Sequence, residues 1–204
     1  MKKEFQLKHA TLIPIMVLLA SGTSAEEAIR GGGFVFGHDL GLAQISSDTN
    51  FFVETSDRVS DGCWLNSART TSMIKRELVD AGFVNIVDEY SFGVTIRISA
   101  MGYETNDFDC AVYTELEVGI TDTDQRDFEE SVWTLFKEKE AFESGSLMTG
   151  AKSEMSERIL SNFEGYIDEL IVAIQISKNR LRNEILEFDT TDQAKAELLN
   201  VISR

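Results

Sequence analysis

The sequence predicts an α+β fold: an antiparallel sheet of three to four strands, covered on one face by helices and followed by a long C-terminal helical segment. Three patterns carry that expectation. Residues 92–100 and 109–120 alternate apolar and polar side chains with a period of two, the mark of strands with one dry and one wet face. Ala68, Thr71, Ile74, Leu78 and Ala81 instead recur every three or four residues, as on a helix lying against a core. From Ala151 to Phe188 helical spacing continues with no proline and with Gly165 as its one glycine.

The first 25 residues, MKKEFQLKHATLIPIMVLLASGTSA, open with Lys2, Lys3 and Lys8, pass through an apolar stretch from Leu12 to Ala20 and end in small residues. That layout predicts a cleaved signal peptide over 1–25, with cleavage after Ala25 or nearer Ala20. The apolar stretch is about half the roughly 20 residues a bilayer span needs, and Pro14 interrupts it. No cysteine closes the segment to take a lipid anchor. Residues 26–188 are expected to form one α+β domain, and 189–204 a short C-terminal helix. A chain of this size with 43% hydrophobic residues has enough apolar material for one core.

The glycine-rich stretch 31–50 contains a short strand candidate at Phe34 to Phe36, and its glycines do not fall in a phosphate-cradling order. Asn50 to Thr55 reads as a strand. Asn66 or Ser67 is placed to cap the following helix, and Gly82 to stop it. Strands are then expected at Phe83–Val87, Phe92–Ala100 and Asp109–Ile120. In the last of these Cys110, Val112, Thr114, Leu116 and Val118 share one side, while Tyr113, Glu115 and Glu117 share the other. Phe128, Val132 and Leu135 or Phe136 suggest a short amphipathic helix ended by ESGSLMTG. In the long helix, Met155 to Ile174 would cover the sheet and the rest would bend away or project, while the run LIVAIQI also fits a strand. Thr190 or Thr191 would cap a last helix carrying Leu198, Leu199 and Ile202.

The chain has two cysteines, Cys63 and Cys110. After export they would meet oxidising conditions, where two cysteines most simply form one disulfide. Zinc would need short paired ligand spacings, but there is no CxxC, and His38 is the one histidine beyond the leader. A cysteine nucleophile would need a base, and nothing in the pattern brings His38 to either sulfur. The bond would tie the start of the first covering helix to the sheet beneath, with Trp64 packed over it.

Net charge is −16; losing the leader, with three lysines and one glutamate, would make it −18. Such a chain repels phosphate backbones and anionic headgroups, so nucleic-acid binding is not expected. Asp122, Asp124 and Asp127 sit in the stretch TDTDQRD and are the candidate metal ligands. The twelve-residue calcium-loop template fails there, with Asp127 at the glycine position and Trp133 at the bidentate glutamate position. No catalytic set and no cofactor are expected.

Gly62-Cys63-Trp64-Leu65-Asn66, a helix ending in Leu78 to Phe83, an alternating strand pair, Cys110 and then Val132-Trp133 before a long helix resemble a group of small secreted bacterial proteins of uncharacterised function with a GCW…C pattern. The resemblance spans residues 59 to 176. The layout is also similar to the sheet and two helices of envelope assembly lipoproteins, without their lipidated cysteine. It implies an envelope location and an α+β fold, and carries over no catalytic residues. The expected function is that of a periplasmic or secreted accessory or binding protein. Its partner would be an envelope protein or a second copy, met through C-terminal helices presenting Leu181, Ile185 and Phe188. The alternatives are an exported inhibitor or immunity-type protein for a basic partner, and an enzyme using acidic residues with or without calcium.

Overall fold

The computed structural model describes residues 40–128, 131–188 and 190–202, all within the compact unit Gly37–Arg204. The expected signal peptide, the strand candidate at Phe34 to Phe36 and His38 lie outside the described residues. The elements, in order, are α1 (Leu40–Ala43), β1 (Phe51–Val59), α2 (Ser67–Asp80), β2 (Ile86–Val87), β3 (Val94–Asn106), β4 (Asp109–Phe128), β5 (Ser131–Ala151), α3 (Lys152–Glu187) and α4 (Asp192–Ile202).

The sheet has five strands in the order β2-β1-β3-β4-β5. It is mixed, where an antiparallel sheet of three to four strands was expected. β3, β4 and β5 form an antiparallel meander, but β1 runs parallel to both neighbours, with Phe51 opposite Ile86 on one side and Val94 on the other. The reason is the crossover: α2 carries the chain back across one face, so the strand after it starts at the same end as β1. The strand expected at Phe83–Val87 is reduced to Ile86–Val87.

A second correction concerns residues 128–136, expected as a helix. The described ones, 128 and 131–136, belong to two strands, with Phe128 pairing Ser131 and the ladder continuing to Asp109 opposite Ala151. Phe128, Val132 and Leu135 satisfy a helical spacing, but a long partner strand supplies backbone hydrogen bonds at every step and overrides so short a signal. The expected breaker, ESGSLMTG, runs inside β5. Gly145 there makes room for Tyr113, whose hydroxyl oxygen would lie 2.7 Å from an added Cβ.

The core lies between the sheet and the helices. Val94, Ile96, Ile98 and Ala100 of β3, with Val112, Leu116 and Val118 of β4, meet Ile74 and Leu78 of α2 and Met155, Ile159, Phe163, Ile167, Leu170 and Ile174 of α3. Asn66 caps α2, its side-chain oxygen accepting from the Arg69 N–H at 3.1 Å. At the other end Gly82 adopts φ +95°, and the Phe83 N–H returns to the Leu78 carbonyl at 2.9 Å. This is the glycine-dependent helix stop the sequence placed there.

Cys63 and Cys110 are joined in a disulfide with a Cα–Cα distance of 6.1 Å. Both are fully buried, so the bond fastens the loop before α2 to the start of β4 from inside the core. Trp64 stacks on Phe163 of α3, with ring centroids 6.0 Å apart, and so links the disulfide loop to the second covering helix. No helix among the described residues is long and apolar enough to cross a membrane.

Candidate functional site

The face of the sheet opposite the helices holds the most distinctive grouping of side chains. Strand alternation puts Glu54 of β1, Arg97 of β3, Glu117 of β4 and Glu143 of β5 in one row across four strands, because Glu54 pairs with Arg97, Arg97 with Glu117 and Glu117 with Glu143. Glu115 stands in the next row, opposite Ser99. Arg97 is the cation at the centre. Its Nη2 donates to Glu138 at 2.6 Å, its Nη1 lies 3.3 Å from Glu117 and its Nε 3.5 Å from Glu54. The hydrogen bond to Glu138, followed by the charges of the surrounding glutamates, holds the Arg97 guanidinium above its ordinary value.

One guanidinium does not neutralise the row. The charges of Glu140 and Glu115 push the Glu143 carboxyl above the usual glutamate value. The Tyr113 phenol is raised too, chiefly by the charge of Glu115. These shifts report a local negative field on a face that water screens.

Apolar side chains flank the acidic rows at both ends, joined at one of them by the exposed Arg58 of β1, which stands opposite Met101. At one end Phe52 meets Tyr90 edge-on with centroids 6.2 Å apart, and Phe92 stacks on Phe136 at 4.5 Å. Tyr90, Phe92 and Phe136 are exposed. At the other end Met101 pairs across Tyr113 with Leu147, and Tyr103 follows Met101 on the same face. Met101, Tyr103 and Leu147 are exposed as well.

The residues singled out in the sequence fall elsewhere. Asp122, Asp124 and Asp127 are not in one loop: they lie along β4, opposite Lys137, Leu135 and Val132. An extended chain separates the first and last by about 16 Å, and Asp122 lies 3.7 Å from the Lys137 ammonium. No group of three or more His, Cys, Asp or Glu is placed to hold a metal ion among the described residues. Leu181 and Ile185 do not project as expected. They are 6% and 3% exposed, in register with the buried face of α3, while Phe188 is 36% exposed.

Two further places have the residue types of a site. Thr114, Ser146, Asn162 and Tyr166 form a network between sheet and α3, with the Tyr166 hydroxyl donating to Ser146 Oγ at 2.7 Å and Asn162 Nδ2 donating to the same oxygen at 2.7 Å. These neutral groups satisfy one another and hold the helix on the sheet. The clefts beside α2 and α3 contain Arg69 and Lys152, but Arg69 is paired with Glu157, and Lys152 lies 3.0 Å from Glu104. No family model matches the chain, and no curated protein matches it.

Proposed function

We propose that the chain is a periplasmic or secreted accessory protein of the bacterial envelope that binds a protein partner through the uncovered face of its sheet and catalyses no reaction. The observation that carries this reading is the row Glu54, Arg97, Glu117 and Glu143, laid across four strands on the face that no helix among the described residues covers. Glutamates placed for solubility alone would be dispersed; here they surround one arginine between two groups of exposed apolar side chains. The buried disulfide supports the oxidising location, since such bonds persist where thiols are not kept reduced.

A photo-crosslinking residue at Thr149, exposed on the open face, is expected to give a discrete adduct in the exporting cell, whereas one at Ser72, exposed on α2, is not. Adducts from Ser72 alone, or from neither position, overturn the reading. The intact mass of the exported protein tests the location: a chain starting near Glu26 is expected, and a full-length chain refutes export by a cleaved leader. A second reading, an exported inhibitor or immunity-type protein, is favoured by the same carboxylates, because such a protein would meet a basic target. It predicts a crosslinked partner that is itself a toxin or enzyme, with loss of that partner's activity on binding.

A further inference from the structure

The uncovered face has three zones, and their order specifies an occupant more closely than its charge does. Exposed aromatic side chains at Tyr90, Phe92 and Phe136 lie at one end, carboxylates at the centre, and exposed Met101, Tyr103 and Leu147 at the other. The six residue steps from Thr95 to Met101 on β3 separate the end zones by about 20 Å. Carboxylates dominate the centre, so a complementary partner places cations there and apolar side chains at both ends.

Backbone satisfaction selects the partner's conformation. An extended segment laid flat on a sheet face would turn unpaired N–H and C=O groups towards side chains that cannot satisfy them all. A helix closes its backbone hydrogen bonds internally and packs its side chains on the sheet, as α3 does on the other face. A helix of about 13 residues spans the 20 Å between the zones.

Resting on the function proposed above, we infer that the open face receives an amphipathic helix of a partner protein, basic in its middle turns and apolar in its first and last turns. The cationic middle would sit over Glu117 and Glu143, and the apolar turns over the Phe92–Phe136 stack and the Met101–Leu147 row.

The test uses the oxidised exported chain and three labelled synthetic peptides, read by fluorescence anisotropy. The first is a helix-forming peptide of about 13 residues with leucine and phenylalanine in the end turns and lysine and arginine in the middle. The second has the same residues rearranged, with basic ends and an apolar middle. The third keeps the first order but carries a central proline that prevents the helix. The first is expected to bind, and the other two to bind about tenfold or more weakly by comparison. The double variants E117Q/E143Q and M101S/L147S are each expected to weaken the first peptide by about tenfold while unfolding at the same temperature as the parent. Equal binding of the rearranged peptide overturns the zoned face, and equal binding of the proline peptide overturns the helix. Absence of binding, or variants without effect, overturns the inference as a whole. A crosslinked partner at Thr149 without peptide binding removes this inference and leaves the binding function standing. Peptide binding without a crosslinked partner removes the binding function and, with it, the partner protein on which this inference rests.

Discussion

Breaking the Cys63–Cys110 bond perturbs the fold at a point whose magnitude follows from chain length. The two residues are separated by 47 positions, and the intervening chain contains α2, β2 and β3. Closing a loop of that length in the unfolded chain is worth about 4 kcal/mol on the loop-entropy account. Both sulfurs are fully buried, so reduction leaves the packed volume nearly unchanged and mainly releases the unfolded chain. For a chain of this size about 4 kcal/mol lowers the melting temperature by roughly 8–16 °C. The assay is urea unfolding of the oxidised protein, the reduced protein and the C63A/C110A variant, with thiols counted by alkylation. The reduced protein should lose the larger part of that stability and show a higher urea slope, since its unfolded state exposes more surface. The double variant should lose slightly more, because it also removes buried sulfur atoms. A fully reduced protein within about 1 kcal/mol of the oxidised one would refute the argument, because the loop would then be constrained in the unfolded state by something other than the bond.

Other perturbations test the remaining layers. Glu143→Gln removes a carboxyl whose folded value is raised by Glu140 and Glu115. The folded state therefore holds that proton more tightly, an advantage present in acid and lost as pH rises through the folded value, so the variant should be the more stable at about pH 7, with the gain gone near about pH 3; a urea midpoint difference that does not vary with pH refutes it. Phe163→Ala opens a cavity where Trp64 and Tyr166 pack on a fully buried ring, and calorimetry should show a loss of about 3–5 kcal/mol. A loss within about 1 kcal/mol would mean that α3 repacks freely. Asn66→Ala leaves the Arg69 N–H without its cap, at a cost of about 1 kcal/mol in the same measurement; no change would show that water replaces the cap.

What could be read from the sequence was local. The α2 cap, expected at Asn66 or Ser67 and found at Asn66, its stop at Gly82 and the inward faces of β3 from Val94 and of β4 each depend on side chains within one element. The course of α3 to Glu187 was likewise carried by its own apolar spacing. Partners distant in sequence were harder to see. The strand at Ser131–Ala151 carries Val132 and Leu135 at a helical spacing and Gly145 in ESGSLMTG, which read as a short amphipathic helix and its breaker until β4 is beside it. The parallel placement of β1 depends on where the crossover lands, and no residue in β1 encodes that. The acidic face was half visible, because alternation placed Glu115 and Glu117 on the wet side of β4 together. Bringing Glu54, Glu138 and Glu143 beside them required the sheet order, as did the apolar groups at the ends, which come from five different segments of the chain.

Arg97 separates the stability of the face from its use. Its guanidinium faces Glu54, Glu117 and Glu138, and about a third of the side chain is exposed, so solvent screening limits the combined contribution to about 1 kcal/mol. Arg97→Gln should therefore destabilise the protein modestly, and more at neutral than at acidic pH, where protonated glutamates no longer repel one another. If the carboxylates exist only to keep the chain soluble, nothing else should follow. If they receive a basic helix, removing the one cation among them makes the face more negative, and the same variant should bind the basic-centred peptide about threefold to tenfold more tightly, with a steeper loss on adding salt. Stability and affinity would then move in opposite directions for one substitution, which a purely structural role for Arg97 does not produce. Affinity falling together with stability would refute the docking of a cation at this row, and would make Arg97 a scaffold for the sheet.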